Sequence, residues 1–160
     1  MDSEIQTLDR QSRNITLYLI IVATLAFFLG YYLLGIKDRM VSVLAVALIG
    51  FSGSGVAALT SCLDRYANGF EREDGTKEPK EAKGETFNLR MARWFYVRPF
   101  LGLFVASLLL WGIEFFVKDP NTFRDSAQHI AFSAFLGGLL AKSVLDLIKN
   151  LFTHHSLYRI

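Results

Sequence analysis

Three sets of residues in this 160-residue chain combine types and spacings that could do chemistry. The first is a run of small and polar residues, Ala47, Gly50, Ser54, Ala57, Ser61 and Asp64. Its alternating steps of three and four hold it to one helical face. Small residues let helix backbones approach closely where lipid offers no hydrophobic drive, so the stripe reads as a packing seam. Equally, several copies of the same helix could wall a pore, with Gly50, Ser54, Ala57, Ser61 and Asp64 facing water. A shorter stripe, Ser133, Gly137 and Ala141, follows later. The second set is Lys142, Asp146 and Lys149, on a different face of that later helix. Ionisable residues inside a span usually face protein, water or one another, which suits an inner gate. The alternative is an amphipathic helix end whose lysines snorkel to the headgroups. The third set is Arg90, Arg93, Trp94, Tyr96 and Arg98. Basic and aromatic residues together anchor a helix to anionic membrane lipids. Arginine forks also grip phosphate and rings stack on bases, so this set equally suits a nucleotide-type ligand.

Catalytic patterns are missing. The chain has no H-E-x-x-H, no G-x-S-x-G and no phosphate-cradling glycine loop, so no enzyme is expected. His154 and His155 are adjacent and diverge by about 100° on a helix, which makes a poor metal pair. Cys62 is the single cysteine, excluding an internal disulfide and a cysteine-based zinc site. No cofactor or metal is implied, and a net charge of +2 implies no duplex nucleic acid.

The elements that must position these residues are membrane spans. Apolar residues make up 52% of the chain and mean hydropathy is +0.32, but their distribution matters more. They form long blocks, with the charges gathered between them. Residues 15–36 hold no charge, and the 12 Leu, Ile, Phe or Val between Ile15 and Leu34 favour insertion. At the usual per-residue values that is about 4–7 kcal/mol. Residues 41–63 are also uncharged but richer in Gly, Ser and Ala. A third block runs from Pro99, a residue suited to a first helical turn, to Val117. The fourth, from Ile130, must pass through Lys142 and Asp146 to span, and these are i,i+4 partners.

Four spans put the amino terminus, the middle segment and the carboxyl end on one side. That side holds 13 of the 17 basic residues. The positive-inside rule therefore places both termini in the cytoplasm. The expected division is an interfacial helix at 1–14, spans at 15–36, 41–63, 94–117 and 130–152, and a tail at 153–160. The cytoplasmic segment 64–93 alternates acid and base around Gly75, Pro79 and Gly84, the pattern of a solvated loop. A shift of 82 residues lays Gly30 on Gly112, Gly55 on Gly137 and Asp64 on Asp146. That register would make the all-α membrane protein two similarly oriented hairpins.

Gly50-x-x-Gly53, Trp94-Phe95-Tyr96-Val97-Arg98-Pro99-Phe100-Leu101-Gly102 and Phe135-Leu136-x-Gly138 occur in that order. This resembles a broad group of bacterial four-helix membrane proteins. Their pattern is a glycine-rich helix, then W-x-x-Y-x-x-R-P-x-x-G, then F-L-x-G-F-x-E-R-x-x-x-D-L-L. Lys142 and Asp146 match the last motif, while Ala141 stands where the group often has Glu. The chain also resembles compact membrane effectors of bacterial anti-phage systems, such as the HalB effectors of Hailong-type systems. That resemblance implies a homo-oligomeric channel or membrane-depolarising effector gated by a cytoplasmic ligand or protein regulator. The other reading of the residues is a non-conducting membrane module that docks a cytoplasmic partner through 64–93.

Overall fold

The computed structural model describes residues 3–36, 38–81, 83–116 and 127–157, with side chains except at 39, 113–116, 127 and 144–157. Among the described residues, four helices carry the fold: α1 (Ser3–Leu34), α2 (Arg39–Ala67), α3 (Leu89–Phe116) and α4 (Ala127–Leu157). Between α2 and α3 lies a small antiparallel hairpin, β1 (Phe70–Glu71) with β2 (Lys77–Glu78). Among the described residues, α1, α2 and α3 are long and apolar enough to cross a membrane. The chain is thus an all-helical, membrane-embedded protein.

The helix starts follow side-chain caps. The Asp38 carboxylate accepts from the Val41 N–H at 3.0 Å and opens α2. The Asn88 side chain does the same for Met91 N–H at 3.0 Å and opens α3. Pro99 therefore does not begin its helix. It sits buried inside α3, ten residues past the start, because the Asn88 cap begins the helix earlier.

α1 differs from expectation in the same way. Residues 3–14 are no separate helix but a continuous extension of the span. Leu8, Ser12, Ile15 and Leu19 form one unbroken buried stripe along it. A helix of 32 residues is about 48 Å long against a hydrocarbon core of about 30 Å, so its first turns stand clear of the lipid.

α2 is the central element. It packs against α1, α3 and α4, and 61% of its most apolar stretch is buried, against 22% for α1 and 33% for α3. Two apolar clusters hold its ends. Val46 and Ile49 meet Ala106, Leu110, Ile130 and Ala134 at one end. At the other, Ala58 and Cys62 meet Leu8, Ile15, Leu19, Phe87 and Phe95.

Residues 68–81 and 83–88 fold as a cap on that second end, anchored by Phe70 and Phe87, while 73–77, 79–81 and 83–85 stay exposed to solvent as the sequence pattern expects. Phe87 is fully buried, its ring stacked 6.3 Å from Phe95 and set edge-on to Phe70. Burying such a side chain stabilises by about 2–3 kcal/mol. Backbone bonds from Phe87 N–H to the Gly69 carbonyl and from Glu71 N–H to the Phe87 carbonyl, both 2.9 Å, close the cap. Gly69 has φ 101°, and the Glu78 carbonyl fills the space where a Cβ would lie, so only glycine fits. The cap also grips the extension of α1, where Glu73 N–H donates to the Glu4 carboxylate at 3.0 Å, and the end of α2 adds the Tyr66 hydroxyl donating to Asp9 at 3.1 Å.

Candidate functional site

The α2 stripe divides into two parts. Gly50, Ser54 and Ala57 are buried among helices of the same chain. A Cβ added to Gly50 would lie 2.5 Å from the Ala106 Cβ and 2.8 Å from the Gly102 carbonyl oxygen, and Gly138 approaches the Gly50 carbonyl from α4. This is backbone-to-backbone packing of α2 with α3 and α4. The Ser54 hydroxyl, 1% exposed, donates to the Arg98 carbonyl at 2.8 Å.

The other part of the stripe opens into a cavity. Half-buried Ser61 and exposed Asp64 lie where the last turns of α2 and the first turns of α3 meet the middle of α4 at Lys142. The cavity is about 560 Å³ and is lined by Arg65, Arg98, Lys142, Asp64, Glu85 and Trp94 with Ser61, Asn68, Met91 and Phe95. Among the described residues its charged lining is three basic side chains and two acidic ones. Arg98 is 6% exposed and its guanidinium donates to the Ser61 hydroxyl at 2.7 Å. Arg65, 9% exposed, donates to the Thr86 carbonyl at 3.4 Å and pairs with the Glu85 carboxylate. Burying guanidinium groups costs several kcal/mol unless they are paired, and both are held by partners here.

The basic and aromatic set at the start of α3 is split by the helix. Trp94 and Arg98, four residues apart, face the cavity. Arg93 and Tyr96 point away, with the Tyr96 ring 4.9 Å from Tyr18 on α1. Arg90 lines a second hollow of about 510 Å³ under the hairpin, where Glu4, Glu71, Glu73 and Asp74 make an acidic lining. Of the second set, Lys142 is exposed at the cavity. The side chains of Asp146 and Lys149 lie outside the described residues, as does His154–His155. On α4 the packed face is Ile130, Ala134, Gly138 and Ala141, while Ser133 is exposed.

Arg65, Asn68 and Glu85 join the site without having stood out in the sequence. Arg65 and Asn68 follow Ser61 at steps of four and three, which was the available signal. Glu85 arrives only through the folding of the cap. Among the described residues, no group of His, Cys, Asp and Glu is arranged to hold a metal. No protein-family model, curated protein or solved structure matches the chain.

Proposed function

We propose that this protein is a four-span membrane module with both termini in the cytoplasm, whose working part is the end that carries the cap and the charged cavity. In this reading the apolar body fixes the platform in the membrane, and the cap presents it to a cytoplasmic partner. The observation that carries the proposal is the division of the polar residues. Arg65, Arg98, Ser61 and Lys142 gather at the cap end, whereas the small residues deeper in α2 are taken up in packing. The geometry favours this over a channel walled by α2, since Gly50 and Ser54 face α3 and α4 of their own chain and Ala57 is buried. The resemblance to anti-phage membrane effectors would make this end the input through which an infection signal reaches the membrane.

Two experiments test the proposal. Tagged full-length protein should capture a specific cytoplasmic partner from native membranes. Replacing residues 72–84 by a Gly/Ser linker should abolish capture while leaving membrane insertion intact. Purified protein in planar bilayers should be silent, both as wild type and as Ser54→Leu. Discrete currents whose amplitude changes in Ser54→Leu would overturn the proposal in favour of an α2-walled pore.

A further inference from the structure

We propose that the groove between α1 and α2 seats a zwitterionic phospholipid with a primary-amine headgroup. One acyl chain would lie in the groove and the phosphoethanolamine would face the ion pair of Arg13 and Asp9. The inference rests on the embedding of α1 and α2 in a membrane, and not on the docking of a cytoplasmic partner.

The groove is about 230 Å³, below the roughly 300–1,000 Å³ of sites that enclose a whole small ligand, so it suits one part of a longer molecule. Thr16, Leu17 and Ile20 of α1 and Leu63 of α2 wall it, with Arg13 and Tyr66 at its mouth. Ser12 also lines the mouth, but it is buried and its hydroxyl donates back to the Asp9 carbonyl at 2.9 Å. Leu17, Ile20 and Leu63 are exposed on helices long and apolar enough to cross a membrane, so lipid is what covers them. The mouth marks the edge of that lipid. Arg13 is the last charge before the long uncharged stretch of α1, and Leu63 closes the uncharged stretch of α2. Of the neighbouring charges, Arg10 is exposed outside the groove and Asp64 lines the separate cavity.

Along α1, steps of three and four put Asp9, Arg13, Thr16, Leu17 and Ile20 on one face. Read inward, that face offers a carboxylate, a guanidinium and then an apolar wall. A phosphoethanolamine lipid presents amine, phosphate and chain in the matching order. Asp9 stands one helical turn, about 5.4 Å, outside Arg13, a step that a two-carbon link between phosphate and amine can bridge. The ion pair can take on the headgroup without breaking. Arg13 donates to one Asp9 oxygen at 3.0 Å and the Tyr66 hydroxyl donates to the other at 3.1 Å. Each carboxylate oxygen can accept twice, which leaves room for an ammonium. The Arg13 side chain is 69% exposed, and a guanidinium has donors enough to hold a carboxylate and a phosphate together. Choline lacks the N–H that Asp9 would accept, and an anionic headgroup without an amine would set its charge beside the Asp9 carboxylate unrelieved.

The test uses the full chain in vesicles, with Trp94→Phe and Trp111→Phe removing both native tryptophans and Ile21→Trp as the reporter. Ile21 is exposed beside the groove but outside its lining. Brominated acyl chains quench a tryptophan they touch, so mixtures with phosphatidylcholine read which lipid sits there. Brominated phosphatidylethanolamine should be favoured over phosphatidylcholine about threefold, the scale of one exposed charge pair. Asp9→Asn and Arg13→Gln should each abolish the preference, and Arg13 is exposed enough that folding is not at stake. Tyr66→Phe keeps both charges and should retain it, which separates headgroup recognition from the local hydrogen bonding. Stepwise methylation of the lipid amine should weaken the preference at each step. Equal quenching by the two lipids in the wild-type pair overturns the site. So does a preference that survives Asp9→Asn or Arg13→Gln. Stronger selection of brominated phosphatidylglycerol would make Arg13 a plain anion contact and overturn the paired recognition. Weak quenching by every lipid would show protein, such as a second copy, on the groove and overturn it too. Partner capture is read separately, so failure of the lipid site leaves the docking proposal standing.

Discussion

Gly50→Ala should destabilise the protein far more than a single methyl suggests. The added Cβ would stand 2.5 Å from the Ala106 Cβ, 2.8 Å from the Gly102 oxygen and 3.3 Å from the Ala134 oxygen. Carbon atoms pack at about 3.5–4.0 Å, so α3 must retreat by about 1 Å. Two of the three obstacles are backbone atoms and the third is a Cβ, so no side chain can swing aside. Overpacking of this kind costs about 1–3 kcal/mol, and the rigid surroundings argue for the upper end. Retreat of α3 also stretches the bond from Ser54 hydroxyl to the Arg98 carbonyl, now 2.8 Å, which contributes about 0.5–1.5 kcal/mol. Together the loss is about 4 kcal/mol, or a fall in Tm of about 8–16 °C for a chain of this size. The control is Gly112→Ala on α3, where a Cβ would meet nothing within 4 Å. That change should be neutral or slightly stabilising, because alanine loses less conformational freedom than glycine. Thermal unfolding of both variants in one detergent measures the contrast. Equal Tm values for Gly50→Ala and Gly112→Ala would refute the close-packed α2 seam.

Other outcomes follow from the cap and the helix ends. Phe87→Ala should cost about 3–5 kcal/mol and expose the amides of residues 69–71 to hydrogen exchange, leaving exchange in the middle of α2 slow. Asn88→Ala removes the cap of α3 and should lower stability by about 1 kcal/mol in denaturant unfolding. The Asp74 carboxyl is held below its ordinary 3.8 by the Thr76 hydroxyl and backbone N–H, at 2.7 and 2.8 Å. The support it lends the hairpin turn is therefore fully present above pH 3.8 and lost as pH falls through the lower folded value. The Thr76 amide resonance should titrate with a midpoint below 3.8, and a midpoint at or above it would refute the bond.

Much of the fold is visible in the residues because the signals are long and local. Twenty or more uncharged residues in a row dictate a span whatever they pack against, which is why the first two helices stand out. The ends are harder. Pro99 looks like a helix start because the stretch before it is charged, yet Asn88 caps a helix that carries Arg90, Arg93 and Arg98 into the bundle. The cap is hidden because its centre is polar, while its anchors, Phe70 and Phe87, stand 17 positions apart and meet only after the hairpin forms. The cavity is half legible. Ser61 and Asp64 belong to a visible stripe, and Trp94 and Arg98 to a visible motif. Helical rotation decides which members of each set share a face, and this sends Arg93 and Tyr96 elsewhere. Glu85 has no local signal, since its partner Arg65 lies 20 residues away.

α2 divides into a sealed seam around Ser54 and an open polar end at Ser61, and thiol accessibility tests that division most directly. Cysteine is introduced at each position in turn in a Cys62→Ala background, and a charged, membrane-impermeant thiol reagent is applied to both sides of proteoliposomes. Ser61→Cys should be modified and Ser54→Cys protected. Modification of both at similar rates would contradict it, because water would then run along the α2 stripe as it does along the wall of a pore.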